Sequence, residues 1–192
     1  MKKKIVITGG LGYIGTELCK LYSGVSWHHK IIVIDNRFIS ERVSQIRNWN
    51  IEFIQGDILD KNLIKGYCED ADVIHHLAGI TDVPRIKTET SKDKDKRIKE
   101  VAEKGTQNIL EVISNKCKII FPSTHVVFEG INEVKKDISE NESTNPVLSY
   151  SSSKAVNEDQ IKRSGKNYVI LRLGSVYGYS NDTMRLDIMT NL

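Results

Sequence analysis

Apolar residues along this chain fall in short, dense runs separated by longer amphipathic stretches. Ile5-Val6-Ile7 and Ile31-Ile32-Val33-Ile34 are the clearest runs, and similar ones recur near residues 51–55, 72–76, 117–121 and 168–172. Runs this short, rich in β-branched side chains and bounded by polar or glycine residues, read as strands buried on both faces. The first begins near residue 4 and the second ends near 35. The stretches between them read as helices near 13–23, 40–48, 60–66, 94–115 and 149–164. Strand and helix alternate throughout, which implies right-handed crossovers and a parallel sheet covered on both faces. The predicted fold is therefore α/β, a doubly wound parallel sheet. No internal repeat exists beyond this alternation. The mixed run Lys92-Asp93-Lys94-Asp95-Lys96-Arg97 reads as the solvated start of a long helix, and the polar stretch 130–145 as a surface loop.

The first strand runs into Thr8-Gly9-Gly10-Leu11-Gly12-Tyr13-Ile14-Gly15. Gly9, Gly12 and Gly15 recur every third residue, then a helix-competent segment follows. In such a turn one glycine permits the tight bend, one lets backbone approach a pyrophosphate, and one lets the helix pack closely on the strand. The helix N-terminus then offers free N–H groups to phosphates. The second strand ends at Asp35, twenty residues after Gly15. A carboxylate there accepts hydrogen bonds from the adenosine ribose hydroxyls and favours NAD over NADP, whose 2′-phosphate it would repel. Arg37, two residues on, works against that preference. The third strand leads into Gly56-Asp57-Ile58, placed to hold an adenine edge.

A second constellation is Tyr150-Ser151-Ser152-Ser153-Lys154. On a helix, Tyr150 and Lys154 are i, i+4 neighbours on one face. An ammonium beside a phenol stabilises the phenolate and lowers its pKa from about 10, which makes Tyr150 a usable general base near neutral pH. Thr124 follows the fifth strand, at the carboxyl end where open α/β sheets bind ligands.

Composition narrows the picture without redirecting it. The chain has 192 residues, 39% hydrophobic and 28% charged, as an ordinary globular protein of about one domain has. A net charge of +3, with bases and acids intermixed, gives no footprint for nucleic acid. Cys19, Cys68 and Cys117 are widely separated and lack metal-ligand spacing, so they read as reduced thiols of a cytoplasmic protein, with no metal expected. The apolar run after the N-terminal lysines is too short for a signal peptide, and no segment reaches the length of a membrane span.

Taken together, these motifs resemble the extended short-chain dehydrogenase/reductases, in particular the NAD-dependent nucleotide-sugar epimerase/dehydratase family, whose fold is the Rossmann type. The resemblance rests on Thr8 to Gly15, Asp35-Asn36, Gly56-Asp57-Ile58, His76-Leu77-Ala78-Gly79, Pro122-Ser123-Thr124, Tyr150 to Lys154, and Arg172-Leu173-Gly174-Ser175-Val176-Tyr177-Gly178, in that order. It implies that Tyr150 is the base, that Thr124 is the active-site hydroxyl, and that Lys154 holds the nicotinamide ribose. It further implies cofactor contacts from Gly9, Gly12, Tyr13, Ile14, Gly15, Asp35, Asn36, Asp57, Ile58, Leu77, Ala78, Gly79 and Val176. A nucleotide sugar is the implied substrate. Oligomeric state is not fixed by the sequence, and a homodimer stays open.

The chain also departs from that family. Where 4,6-dehydratases follow the active-site threonine with an Asp-Glu pair, this chain has His125-Val126, and valine transfers no proton. Ala102 replaces the family's asparagine ahead of Gly105-Thr106, Phe128-Glu129 replaces Tyr-Gly, and Ser175 stands where many members have Asn. Residues 1–178 read as the NAD-binding domain and 179–192 as the start of a substrate region that is largely absent. Three functions fit: an epimerase working through a keto-sugar, a keto-sugar reductase of the same fold, or a cofactor-binding fragment without turnover.

Overall fold

The computed structural model of the chain describes residues 2–81, 91–131 and 137–177. Among the described residues there are six strands: β1 (Lys4–Thr8), β2 (Lys30–Asp35), β3 (Glu52–Gln55), β4 (Val73–His76), β5 (Lys118–Thr124) and β6 (Asn167–Leu173). They alternate with α1 (Tyr13–Ser23), α2 (Ser40–Asn48), α3 (Lys61–Cys68), α4 (Lys92–Val112) and α5 (Ser149–Arg163), and a 3₁₀ turn (His125–Phe128) follows β5. All pairings are parallel, in the order β3-β2-β1-β4-β5-β6. The chain thus winds outward from β1 to β3, then crosses back and winds the other way from β4. The point of reversal lies between β1 and β4, where their carboxyl ends leave a crevice.

Period-two alternation distributes the strand side chains to two cores. Ile5, Ile7, Ile31 and Val33 point to one face and pack with Cys19 of α1 and with Val43 and Ile46 of α2. Val6, Ile32, Ile34, Ile74, Ile119 and Phe121 point to the other, against Ile64 of α3, Ile109 of α4 and Ile161 of α5. Burial on both faces explains why the central strands are unbroken apolar runs. The three cysteines are free and buried, and burial pushes the thiols of Cys19 and Cys68 up to about 12 and that of Cys117 to about 11. They stay protonated and unreactive at neutral pH.

The elements follow the sequence pattern closely, and one difference carries meaning. β5 continues three residues past the expected end near 121, because Pro122, Ser123 and Thr124 pair with Leu171, Arg172 and Leu173 of β6. Thr124 is therefore held at the last position of a paired strand. Helix α4 starts at Lys92, with Ser91 as its N-cap and Asp93 and Asp95 in its first turn, where carboxylates suit the helix dipole. Gly178 and residues 179–192 lie outside the described residues.

Candidate active site

Two clusters stand at the carboxyl edge of the sheet. The first is the glycine turn between β1 and α1. Gly9 has φ +71°, and a Cβ there would meet the Ala78 backbone at 2.7 Å, so any side chain would force β1 and the β4 exit apart. A Cβ on Gly15 would meet the Gly9 carbonyl oxygen at 2.5 Å, which fixes how closely α1 approaches the turn. Gly12 differs. Its Cβ position has only the Gly9 carbonyl oxygen at 3.2 Å and Arg37 Nη2 at 3.9 Å, so the surface above it stays open as a cradle for a larger group. The sequence did not single out Gly10, which is pressed against the Val33 side chain.

Asp35, at the end of β2, is almost wholly buried. Its Oδ2 accepts the Leu11 N–H at 3.0 Å and its Oδ1 accepts the Arg37 N–H at 3.0 Å, so the carboxylate holds the turn in shape. Arg42 of α2 donates to the Leu11 carbonyl from beneath. Asn36 donates to Asp57 at 3.2 Å, and Asp57 also accepts the Leu59 N–H at 2.9 Å. Asp35, Asn36, Asp57 and the glycine turn thus line one corner. Leu77 and Ala78 close its inner side, and the Ala78 N–H donates to Thr8 Oγ1 at 3.2 Å. Gly79 is exposed with no heavy atom within 4 Å of its Cβ position. Ile14 is 37% exposed at the start of α1, and Tyr13 is half-buried beside it. Val176, 43% exposed, lies beyond β6 on the opposite half of the sheet from β1 and β2.

The second cluster joins β5, β6 and α5. Lys154 Nζ donates to the Pro122 carbonyl at 3.0 Å, and lies 4.5 Å from the Phe121 ring centroid and 6.0 Å from that of Tyr150. Burial pushes the Lys154 pKa down to about 8. Tyr150, in the first turn of α5, is half-buried, and Thr124 is buried with its Oγ1 accepting the Val126 N–H at 3.3 Å. Helix α5 therefore brings Tyr150 and Lys154 to the strand that carries Thr124.

Sequence reasoning missed the groups that hold α5 there. Glu158, buried two turns beyond Tyr150, accepts from Ser123 Oγ at 2.6 Å, Arg172 Nε at 2.9 Å, Arg172 Nη2 at 2.7 Å and Lys162 at 3.1 Å. Burial alone would raise its carboxyl, but these donors overcome it and hold the pKa near 2. Ser123 and Arg172 are register partners on β5 and β6, so one carboxylate ties α5 to both strands. Glu129, a departure from the family pattern, accepts the N–H groups of Val147 at 2.8 Å and Leu148 at 2.7 Å and the Ser151 hydroxyl. It caps α5 from outside the helix. His76 is buried between Thr8 Oγ1 at 3.0 Å and Thr106 Oγ1 at 2.9 Å, and burial, aided by the Lys154 charge, lowers its pKa to about 3.

The departures have definite places. His125 is exposed, bonded through Nδ1 to the Leu173 carbonyl at 3.1 Å. The Ala102 carbonyl accepts from Asn157 Nδ2 at 3.0 Å. Among the described residues, no helix is long and apolar enough to cross a membrane.

The family model described as the 3-beta hydroxysteroid dehydrogenase/isomerase family matches residues 6–189. The chain is 33% identical over 187 residues to a putative UDP-glucose 4-epimerase of Methanocaldococcus jannaschii, covering 93% of this chain and 57% of that one. It is 35% identical over 130 residues to a UDP-N-acetyl-alpha-D-glucosaminuronate decarboxylase of Bacillus cytotoxicus, covering 67% of this chain and 38% of the other. The solved UDP-glucuronic acid 4-epimerase of Bacillus cereus, in complex with UDP-glucuronic acid and NAD, superposes with a TM-score of 0.74 at 28% identity, covering 94% of this chain and 60% of that one. The chain spans about half the length of the curated relatives it matches.

Proposed function

Because the chain belongs to the 3-beta hydroxysteroid dehydrogenase/isomerase family, we propose that it forms the NAD-binding part of a nucleotide-sugar epimerase, with Tyr150 as base. Residues 1–178 are the cofactor domain in this reading, and 179–192 begin the substrate region. The observation that carries it is the placement of Tyr150 and Lys154 on a helix docked to the strand that ends in Thr124. The open surface over Gly12, the first turn of α1 and the Asp35 corner fit a dinucleotide. NAD bound there would supply the hydride acceptor and donor. Tyr150 takes the proton of the reacting sugar hydroxyl, and the Thr124 hydroxyl orients that oxygen. Lys154 keeps positive charge near the phenol and so favours the phenolate. With a pKa near 8, it is mostly protonated at neutral pH.

Epimerisation is favoured over dehydration because Val126 and the exposed, carbonyl-bonded His125 stand where water elimination would need an acid and a base. The buried reduced thiols suit a cytoplasmic location. The test uses the protein carrying this chain, incubated with UDP-, dTDP-, GDP- and CDP-sugars. An epimerase gives inverted product with no net change in NADH, whereas stoichiometric NADH oxidation would make it a reductase. Tyr150→Phe should lower turnover by about 10²–10⁴-fold with cofactor binding retained. Near-normal turnover in that variant would remove the catalytic assignment.

A further inference from the structure

The proposed reaction leaves His76 without a task, although it stands where the sheet reverses. His76 ends β4, Thr8 ends β1, and the two are register partners across the crevice. The imidazole is 1% exposed, with Nδ1 3.0 Å from Thr8 Oγ1 and Nε2 2.9 Å from Thr106 Oγ1 of α4. Thr8 Oγ1 also accepts the Ala78 N–H at 3.2 Å, and the Ala78 backbone is what a Cβ on Gly9 would strike at 2.7 Å. The α4 end of this chain of contacts is equally fixed. A Cβ on Gly105, beside Thr106, would collide with the Ile58 side chain. Asn108 Nδ2, one turn on, donates to the carbonyls of Ile58 and Leu59 at 2.9 and 3.1 Å. One imidazole therefore ties α4 to the glycine turn and to the exit of β4.

Only a neutral ring suits this place. Uncharged imidazole carries one donor and one acceptor on a rigid frame, so each hydroxyl can meet a complementary nitrogen. The Phe121 ring lies 5.6 Å from that of His76, centroid to centroid, and Lys154 Nζ lies 4.5 Å from the same Phe121 centroid. Burial and that nearby ammonium keep His76 uncharged at neutral pH. The Thr8 hydroxyl, accepting from Ala78, keeps its own proton to donate to Nδ1, and Nε2–H then donates to Thr106. Resting on the cofactor reading above, we infer that His76 is a positioning residue for the cofactor: through Thr8 it fixes where the Ala78 and Gly9 backbone stands, and so the floor that receives a dinucleotide. The two ends of the ring then differ in consequence. Its bond to Thr106 holds the fold, and its bond to Thr8 shapes the ligand surface.

Two substitutions separate those ends, read by urea unfolding, calorimetric titration with NAD and hydrogen exchange at the Ala78 amide. His76→Asn keeps a polar atom at the place of Nδ1 and gives up Thr106. His76→Gln extends toward Thr106 and gives up Thr8. Both should lower stability, but only His76→Gln should weaken NAD, by about tenfold, with His76→Asn within about threefold of wild type. Thr8→Val removes the hydroxyl at nearly constant volume and should match the NAD loss of His76→Gln. Combining those two should cost little more affinity than either alone, because both break one contact. Ala78 exchange should quicken in His76→Gln and Thr8→Val and stay near wild type in His76→Asn. Equal NAD losses in His76→Asn and His76→Gln would overturn the inference, since affinity would then only follow stability. So would additive losses in the double variant, or unchanged affinity in Thr8→Val, which decides alone if a His76 variant does not fold. Failure of the cofactor reading shows elsewhere, as a folded wild type that binds no dinucleotide, and it removes this inference too.

Discussion

Replacing Lys154 by methionine should make the chain more stable while impairing its function. Lys154 is 8% exposed, and burial lowers its pKa from 10.5 to about 8. Between those values the unfolded chain holds a proton that the folded chain has released. Stability therefore rises with pH across this window, and the penalty of the buried charge is fully present below pH 8. At about 1.4 kcal/mol per pKa unit, the penalty at pH 7 is roughly 3 kcal/mol. Methionine fills similar volume without charge but forfeits the charged hydrogen bond to the Pro122 carbonyl, about 1.5–3 kcal/mol. The expected net gain for Lys154→Met is about 0–2 kcal/mol at pH 7. Urea unfolding at pH 7 and at pH 10 measures it. The wild type recovers most of its deficit on deprotonation, so the gap should close by roughly 2 kcal/mol between the two pH values. A variant less stable than wild type at pH 7, or a gap that does not move with pH, would refute the reasoning. NAD affinity should fall in the same variant if Lys154 makes the ribose contact proposed above, and unchanged affinity would remove that role.

Glu158→Ala leaves Arg172 without its buried partner and should destabilise the chain by about 3–5 kcal/mol in urea unfolding. Because the folded pKa of Glu158 is lowered to about 2, its contribution is complete above the ordinary 4.5 and is lost as pH falls toward 2, so wild type and variant should converge in acid. Glu129→Ala removes the external cap of α5 and should cost about 0.5–2 kcal/mol. The loss should appear as faster hydrogen exchange at the start of α5, and unchanged protection there would show that the cap is not needed.

The sequence reveals most of the fold because the information is local. Ile5 to Ile7 and Ile31 to Ile34 can only be strands buried on both faces, and a glycine turn leading into a helix leaves little choice of topology. The turn residues and Asp35 are readable for the same reason, since spacing along the chain sets their roles. The clamps on α5 are not local. Glu158 meets Ser123 and Arg172, 35 and 14 residues away, and nothing in their spacing announces the contact. One signal was present: Tyr150, Lys154 and Glu158 are spaced by four, so the carboxylate shares a helix face with a buried lysine. Glu129 looked like an unexplained replacement until its contacts with Val147 and Leu148 gave it work. The bracing role of Asp35 is not legible in the sequence, because its bonds to Leu11 and Arg37 exist only once the turn has folded.

Glu129 grips the start of α5 at Leu148 and Ser151, and Glu158 grips it about 10 Å further along the axis, at 1.5 Å per residue from Ser151. The helix is thus fixed at two points, one beside Tyr150 and one two turns beyond it. A shift at the Glu158 end would change how Tyr150 and Lys154 sit against β5 without altering either side chain. Variation in Ser123, Arg172 or Glu129 would thus re-aim the proposed catalytic pair while leaving it intact. Such positions offer a route by which members of one fold could diverge in specificity, and by which an engineer could redirect one, leaving Thr124, Tyr150 and Lys154 untouched.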